Sequence, residues 1–312
     1  MTVRVALATA RELPDLDPDD HGLVAALRDR GADVTLPVWD DPAARWDVDL
    51  VVVRSTWDYS ERRDAFVDWA RRVEATTTLC NAASMLAWNT DKRRYLTDLE
   101  DEGVPVVPTL WLTRRTGRNE AVGEPHGADA HQLAGLAAGA SWAKQAQAVV
   151  VKPIVGAGSR DTVKVAMADL PGIGQRFVDD NVLKQGLMVQ PFLPGIKDGE
   201  LSLIFFDGAF SHAVRKQPAA GDFRSQPEFG SAVRTVTPTA AERAVADHAL
   251  HICGGAPLYA RVDLVPGLDG KPCVIELEVT EPCLYFGWCD DGAARFAERV
   301  LARAEAARAK RR

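Results

Sequence analysis

The stretch from Tyr259 to Glu281, YARVDLVPGLDGKPCVIELEVTE, limits what this chain can fold into more than any other. Two apolar segments flank the turn-forming run Pro266-Gly267-Leu268-Asp269-Gly270, the pattern of neighbouring strands joined by a short hairpin. The period of a strand sends Glu276 and Glu278 to one face and Ile275, Leu277 and Val279 to the other, into a core. Asp263 on the first strand then sits near both glutamates, with Arg261 beside it. Three carboxylates held that close repel unless protons or cations neutralise them. Oxygen donors without histidine suit magnesium. Taken alone, the stretch also fits an exposed strand face that is acidic and binds nothing.

A chain of 312 residues has room for two or three packed units. Its composition, 46% hydrophobic and 26% charged, is that of a globular enzyme and not of a disordered or fibrous chain. The net charge of −7 argues against a general nucleic-acid binder, although the last residues, ARAKRR, are basic. They follow an alanine-rich helical pattern, and positive charge suits a helix C-terminus. Five scattered cysteines read as reduced thiols. No apolar run is long enough to span a membrane and no signal peptide is evident, so a cytoplasmic location without a membrane partner is expected.

At the N-terminus, strands are expected at Val3–Ala8, Val34–Val38 and Asp49–Arg54, with a helix from about Leu23 to Arg30 stopped by Gly31. The order strand, helix, strand implies a small parallel α/β domain. Its third strand runs into Arg54-Ser55-Thr56-Trp57-Asp58-Tyr59. Ligands gather beyond the carboxyl ends of strands in open α/β sheets, so this segment is a candidate substrate loop. Arg54 could hold a carboxylate; equally, it could pair with Asp58 while Trp57 caps the core.

Asn89 or Thr90 is expected to cap a helix reaching Gly103, with Lys92 in its first turn. A cation there opposes the helix dipole and needs an anionic partner. Residues 113–148 suggest a flexible connection followed by a helix from about Asp129 to Gln147. Next, VVVKPIVGAGSRDTVKV carries Lys152 at a strand end before Gly156, Ala157, Gly158 and Ser159. Small residues there let backbone N–H groups approach phosphates, although a plain hairpin is the better reading of a lone Gly-x-Gly. A strand from Leu187 to Leu193 leads to a Pro-Gly turn, and Glu200 opens an apolar strand. Arg215 and Lys216 end the following one, and residues 217–232 form a long loop of the kind that closes over ligands. A helix from Pro238 to Cys253 opens with the capping box Thr239/Glu242. His248 and His251 are one turn apart on it, more simply a solvated pair than a metal site.

Taken in order, Asp91-Lys92, VVVKP, the glycine loop, VQPF, Glu200-x-Ser-Leu, Arg261-x-Asp263 and Glu276-x-Glu278 resemble the ATP-grasp ligases, a superfamily that includes glutathione synthetase and the ribosomal-protein glutamate ligases. The resemblance covers almost the whole chain. It implies an α/β and α+β fold: a small N-terminal parallel α/β domain (1–88), a central ATP-grasp lid domain (89–190) and a C-terminal ATP-grasp domain with the magnesium site (191–312), the last two clamping ATP.

The resemblance also implies roles. Lys92 and Lys152 would contact phosphates, and Gly156, Gly158 and Ser159 would close over them. Gln190, Phe192 and Leu193 would meet adenine, and Glu200 the ribose. Asp263, Glu276 and Glu278 would hold magnesium, two ions in all, with Arg261, Arg215 and Lys216 as catalytic cations. Many relatives have asparagine where Glu278 stands, so this site carries an extra negative charge. RSTWDY and GDFRSQPEFGS are similar to the D-cycloserine-forming branch. That likeness implies a small amino-acid-like substrate held by residues among Arg54, Ser55, Thr56, Trp57, Asp58, Tyr59, Arg224 and Thr280, in a homo-oligomeric enzyme. The implied reaction is ATP-dependent activation of the carboxylate of O-ureido-D-serine, followed by ring closure within the same molecule. An intermolecular carboxylate–amine ligase and a non-catalytic nucleotide-binding protein remain the alternatives.

Overall fold

The computed structural model describes residues 2–113, 128–129 and 133–311. The described residues form three sheets. The first is parallel, with β1 (Arg4–Ala8), β2 (Asp33–Thr35), β3 (Leu50–Val53) and β4 (Leu79–Cys80) in the order β2-β1-β3-β4. Strands buried on both faces read as unbroken apolar runs. Accordingly, Val5, Leu7, Leu50 and Val52 pack against α1 (His21–Asp29), while Ala6, Ala8, Val51 and Val53 pack against α2 (Arg63–Glu74). β4, α2 and the short α3 (Ala83–Asn89) complete this unit and had no counterpart in the sequence reading.

The helix carrying Lys92 is α4 (Lys92–Asp101), but neither Asn89 nor Thr90 caps it. Asn89 ends α3, and the Asp91 side chain accepts from the Arg93 and Arg94 backbone N–H groups. Aspartate is the better cap because its ionised oxygen meets two unpaired donors and the positive helix end.

A second sheet contains β5 (Leu110–Thr113), β6 (Ala128–Asp129), β7 (Ala148–Pro153), β8 (Val163–Ala166) and β9 (Leu187–Pro191) in the order β6-β5-β9-β7-β8. Val149, Val151 and Val189 face a core shared with α5 (Leu133–Gly139) and α6 (Gln175–Gln185). The helix expected from Asp129 to Gln147 is thus much shorter, since α5 gives way to turns from residue 140. Most of the connection expected before it, residues 114–127, lies outside the described residues.

The third sheet is antiparallel, in the order β12-β11-β10-β13-β14, from β10 (Glu200–Phe206), β11 (Ala209–Gln217), β12 (Ala232–Thr235), β13 (Tyr259–Pro266) and β14 (Pro272–Glu278). On one face Leu201, Leu203, Phe205, Val262 and Leu277 pack against α4 and α7 (Ala240–Ile252), whose capping box forms as expected. On the other, Ile204 and Phe206 pack against the first unit, together with Phe296 and Val300 of α8 (Gly292–Lys310). The rest of that face carries the polar residues of the site. Ile275 departs from the expected burial: it is half-buried and lines the site cavity.

Candidate active site

The hairpin forms in the register its pattern implies. β13 pairs with β14 so that Asp263 stands opposite Glu276 and Arg261 opposite Glu278. Carboxylate oxygens of Asp263, Glu276 and Glu278 lie within 4.8 Å of one another. The site's own cations hold the cluster together. Arg261 donates to Asp263 at 2.9 Å and to Glu278 at 2.6 Å, and Lys92 Nζ lies 2.9 Å from Glu276. Lys216 bridges Glu200 and Asp263, and Ser202 donates to Asp263.

The electrostatic consequences differ from residue to residue. Burial alone would raise Asp263, yet Arg261 and Lys216 outweigh it and hold this carboxyl below the usual range. Burial likewise opposes ionisation of Glu276, but Lys92 and Lys152 win. At Glu278 burial, reinforced by Glu276 and Asp263, overcomes Arg261 and pushes the carboxyl up to about 7. A donor set made only of converging carboxylate oxygens fits a hard divalent ion such as magnesium.

A cavity of about 1070 Å³ lies over this cluster, between the second and third sheets. Lys152 projects into it from the end of β7, beside Val150 and Gln190. Burial lowers the Lys152 ammonium, and no carboxylate forms an ion pair with it among the described residues. A half-buried cation without an ion-pair partner fits an anionic ligand group such as a phosphate. The loop after β7 bends through left-handed backbone at Gly158 (φ +62°) and Ser159 (φ +55°), and the Gly156 carbonyl accepts from Lys92 at 2.8 Å. Gln226 of the long 217–232 loop donates to Ser159 at 2.6 Å, and Ser225 donates to Glu200. The two loops therefore meet over the cavity. Phe192, with Lys164 Nζ 3.4 Å from its ring centroid and Phe223 edge-on to it, forms one apolar end near Leu193 and Ile196.

Of the residues singled out from sequence, Lys92, Lys152, Gly156, Gly158, Ser159, Gln190, Phe192, Leu193, Glu200, Lys216, Arg261, Glu276, Glu278, Trp57, Tyr59 and Arg224 line this cavity, and Asp263 underlies it. Arg215 does not reach it. Arg215 pairs with Leu201 while Lys216 pairs with Glu200, so strand alternation points Arg215 to the opposite face, where it binds Glu242 at 3.0 Å.

Arg54 is corrected as well. It is 2% exposed and held by Asp20, not Asp58, and it donates to the Pro282 carbonyl at 2.8 Å. Asp58 instead binds Trp39 and Arg62. Ser55 and Thr56 are buried, and Thr280 donates to Asn89 at 3.0 Å. None of Arg54, Ser55, Thr56, Asp58 and Thr280 lines the cavity; they support its wall.

The sequence reading missed the roles of two residues, Asn89, taken there for a helix cap, and Glu281. Asn89 donates to the Leu277 carbonyl and accepts from the Val279 N–H, fixing the end of β14. Glu281, 6% exposed and in the cavity wall, follows the strand's end, where no period indicates its direction. His248 and His251 are exposed, and Asp263, Glu276 and Glu278 are the one metal-competent group among the described residues.

Two sheets clamping such a cavity behind a parallel α/β unit define an ATP-grasp ligase. Residues 137–283 match the ATP-grasp domain of prokaryotic glutathione synthetase, and residues 5–81 match the N-terminal domain of the D-cycloserine synthetase DcsG. The cycloserine biosynthesis protein DcsG of Streptomyces lavendulae is 33% identical over 97% of this chain and 99% of its own length. The chain belongs to the D-cycloserine synthetase family of ATP-grasp ligases. A crystal structure of D-cycloserine synthetase DcsG superposes with a TM-score of 0.83 at 30% identity, covering 96% of this chain and 99% of that one. D-alanine–D-alanine ligase from Bacillus anthracis shares the fold, with a TM-score of 0.67 at 14% identity over the full length of both chains. No helix among the described residues is long and apolar enough to cross a membrane.

Proposed function

We propose that this chain forms D-cycloserine from O-ureido-D-serine at the expense of ATP. The supporting observation is a single cavity. It joins an oxygen-donor triad, the buried Lys92 and the half-buried Lys152 to Trp57 and Tyr59, from the unit that matches the cycloserine family. In this reading Lys92 and Lys152 bind phosphate oxygens, and the Gly156–Ser159 loop closes over them. Gln190, Phe192 and Leu193 enclose the adenine, and Glu200, released from Ser225, accepts from the ribose. Asp263, Glu276 and Glu278 hold magnesium, up to two ions, which supplies charge neutralisation at the transferring phosphoryl group. Arg261 lies across from Glu278, where it can stabilise the same charge.

The substrate carboxylate attacks the terminal phosphorus of ATP, and ADP leaves. The oxyamine nitrogen of the same molecule then attacks the activated carbonyl carbon. The ring C–N bond forms as the C–O bond to phosphate breaks, and phosphate departs with one carboxylate oxygen. Hydrolysis of the carbamoyl group from that nitrogen releases carbon dioxide and ammonia. A nucleophile within the same molecule needs no second binding site and gains the advantage of enforced proximity. The 217–232 loop, already in contact with the glycine loop, excludes water from the activated acid.

The test supplies purified enzyme with O-ureido-D-serine, ATP and magnesium as the only additions. D-cycloserine, ADP and phosphate should form, and a chelator should stop them. Product that forms only when a separate amine is added identifies an intermolecular ligase instead.

A further inference from the structure

Glu281 is a buried acid, 6% exposed, that forms no ion pair among the described residues. Every other acidic group at the cavity floor has one: Glu276 has Lys92, Glu278 and Asp263 have Arg261, and Glu200 has Lys216. Lys92 favours the ionised form of Glu281 from beyond ion-pair distance, and so does the Tyr59 side chain beside it. The Trp57 indole N–H donates to the Glu281 backbone carbonyl at 3.1 Å, and Asn89 secures the chain just before it through Val279 and Thr280. The carboxylate is therefore held in place, desolvated and open to the cavity. Burial, with Glu278 beside it, pushes this carboxyl well above the usual range, so its charged form needs a cation that a ligand would bring.

We propose that Glu281 binds the α-ammonium group of the amino-acid substrate, with Tyr59 orienting the carboxylate. The inference rests on the reading that the substrate is an α-amino acid whose carboxylate reacts over the metal triad. In such a molecule the ammonium nitrogen is only about 2.5 Å from the carboxyl carbon. Its partner must therefore border the metal site, and Glu281 follows Glu278 by three residues in the same wall. Asp19 and Asp17, acids on the facing wall, are already engaged: Asp19 accepts from Cys283 and from the Gly287 N–H, and Asp17 accepts from the Asp19 N–H. The RSTWDY segment thus acts on the substrate through Trp57 and Tyr59, which place Glu281, and not through Arg54.

The experiment compares turnover of the amino acid with that of its analogue lacking the α-amino group, in wild type and in Glu281→Gln. Wild type should favour the amino acid by at least about tenfold in kcat/KM, and Glu281→Gln should lose most of that preference. The variant's KM for the amino acid should rise about thirtyfold while its KM for ATP stays within twofold, the scale of a lost charge-assisted hydrogen bond. Equal use of both compounds by wild type overturns the proposal even if the variant fails to fold, and so does an unchanged preference in a folded variant. ADP release that depends on an added amine, with the amino-group preference still abolished by Glu281→Gln, overturns ring closure and leaves this contact standing. If no amino acid in a panel elicits ADP release, both readings fall.

Discussion

Because the carboxyl of Glu278 is pushed up to about 7, magnesium binding should depend on pH in a way set by this one side chain. The ion needs the carboxylate, so a proton competes with it below about pH 7. The apparent affinity is divided by one plus the ratio of protonated to ionised Glu278. That factor is about 11 at pH 6 and about 1.1 at pH 8, a tenfold loss between them. Without metal the same raised carboxyl favours the folded state below the ordinary glutamate range, and that contribution is lost as pH rises through about 7. Metal affinity and metal-free stability therefore move in opposite directions across this window. The assay titrates magnesium calorimetrically into protein saturated with a non-hydrolysable ATP analogue, for wild type and for Glu278→Asn. Protonation of the nucleotide is common to both and cancels in the ratio of their dissociation constants. That ratio should change about tenfold from pH 8 to pH 6. A constant ratio would refute the assignment of Glu278 as a titrating metal ligand.

Lys152→Ala should reduce kcat/KM for ATP by about a hundredfold or more, as expected for a lost donor to the reacting phosphates. Its thermal midpoint should not fall by more than a few degrees, because burial already disfavours the Lys152 ammonium. Arg54→Met should cost about 3–5 kcal/mol in urea unfolding, since it strands Asp20 as a buried lone charge. A stable Arg54→Met that has lost only substrate affinity would restore Arg54 to the binding site. Arg215→Ala should keep kcat within threefold of wild type, because its guanidinium faces Glu242 outside the cavity; a collapse of kcat with the fold intact would contradict that placement.

The parts of this protein that could be read from sequence are those set by local period. A turn of fixed chemistry and strict alternation of two determine which side chains of β13 and β14 share a face, so the triad and Arg261 were visible. The continuous apolar β3 announced a strand buried on both sides. What escaped depends on contacts between distant segments. Arg54 meets an aspartate 34 residues away, and nothing local distinguishes Asp20 from Asp58 as its partner. Arg215 and Lys216 look equivalent until the register with β10 shows which one stands opposite Glu200. Asp91 outcompetes Asn89 and Thr90 as a cap only once α3 claims those residues. Glu281 lies beyond the end of β14, where a contact from Trp57, in the turn after β3 and 224 residues away, fixes the backbone.

The reaction is tested most directly by following the oxygen atoms of the substrate. O-ureido-D-serine labelled with ¹⁸O in both carboxylate oxygens is converted with ATP and magnesium and no added amine. Attack of the carboxylate on phosphorus followed by internal capture predicts one labelled oxygen in each phosphate released and one in each D-cycloserine formed. Unlabelled phosphate, or labelled phosphate without D-cycloserine until a second amine is supplied, would contradict the account.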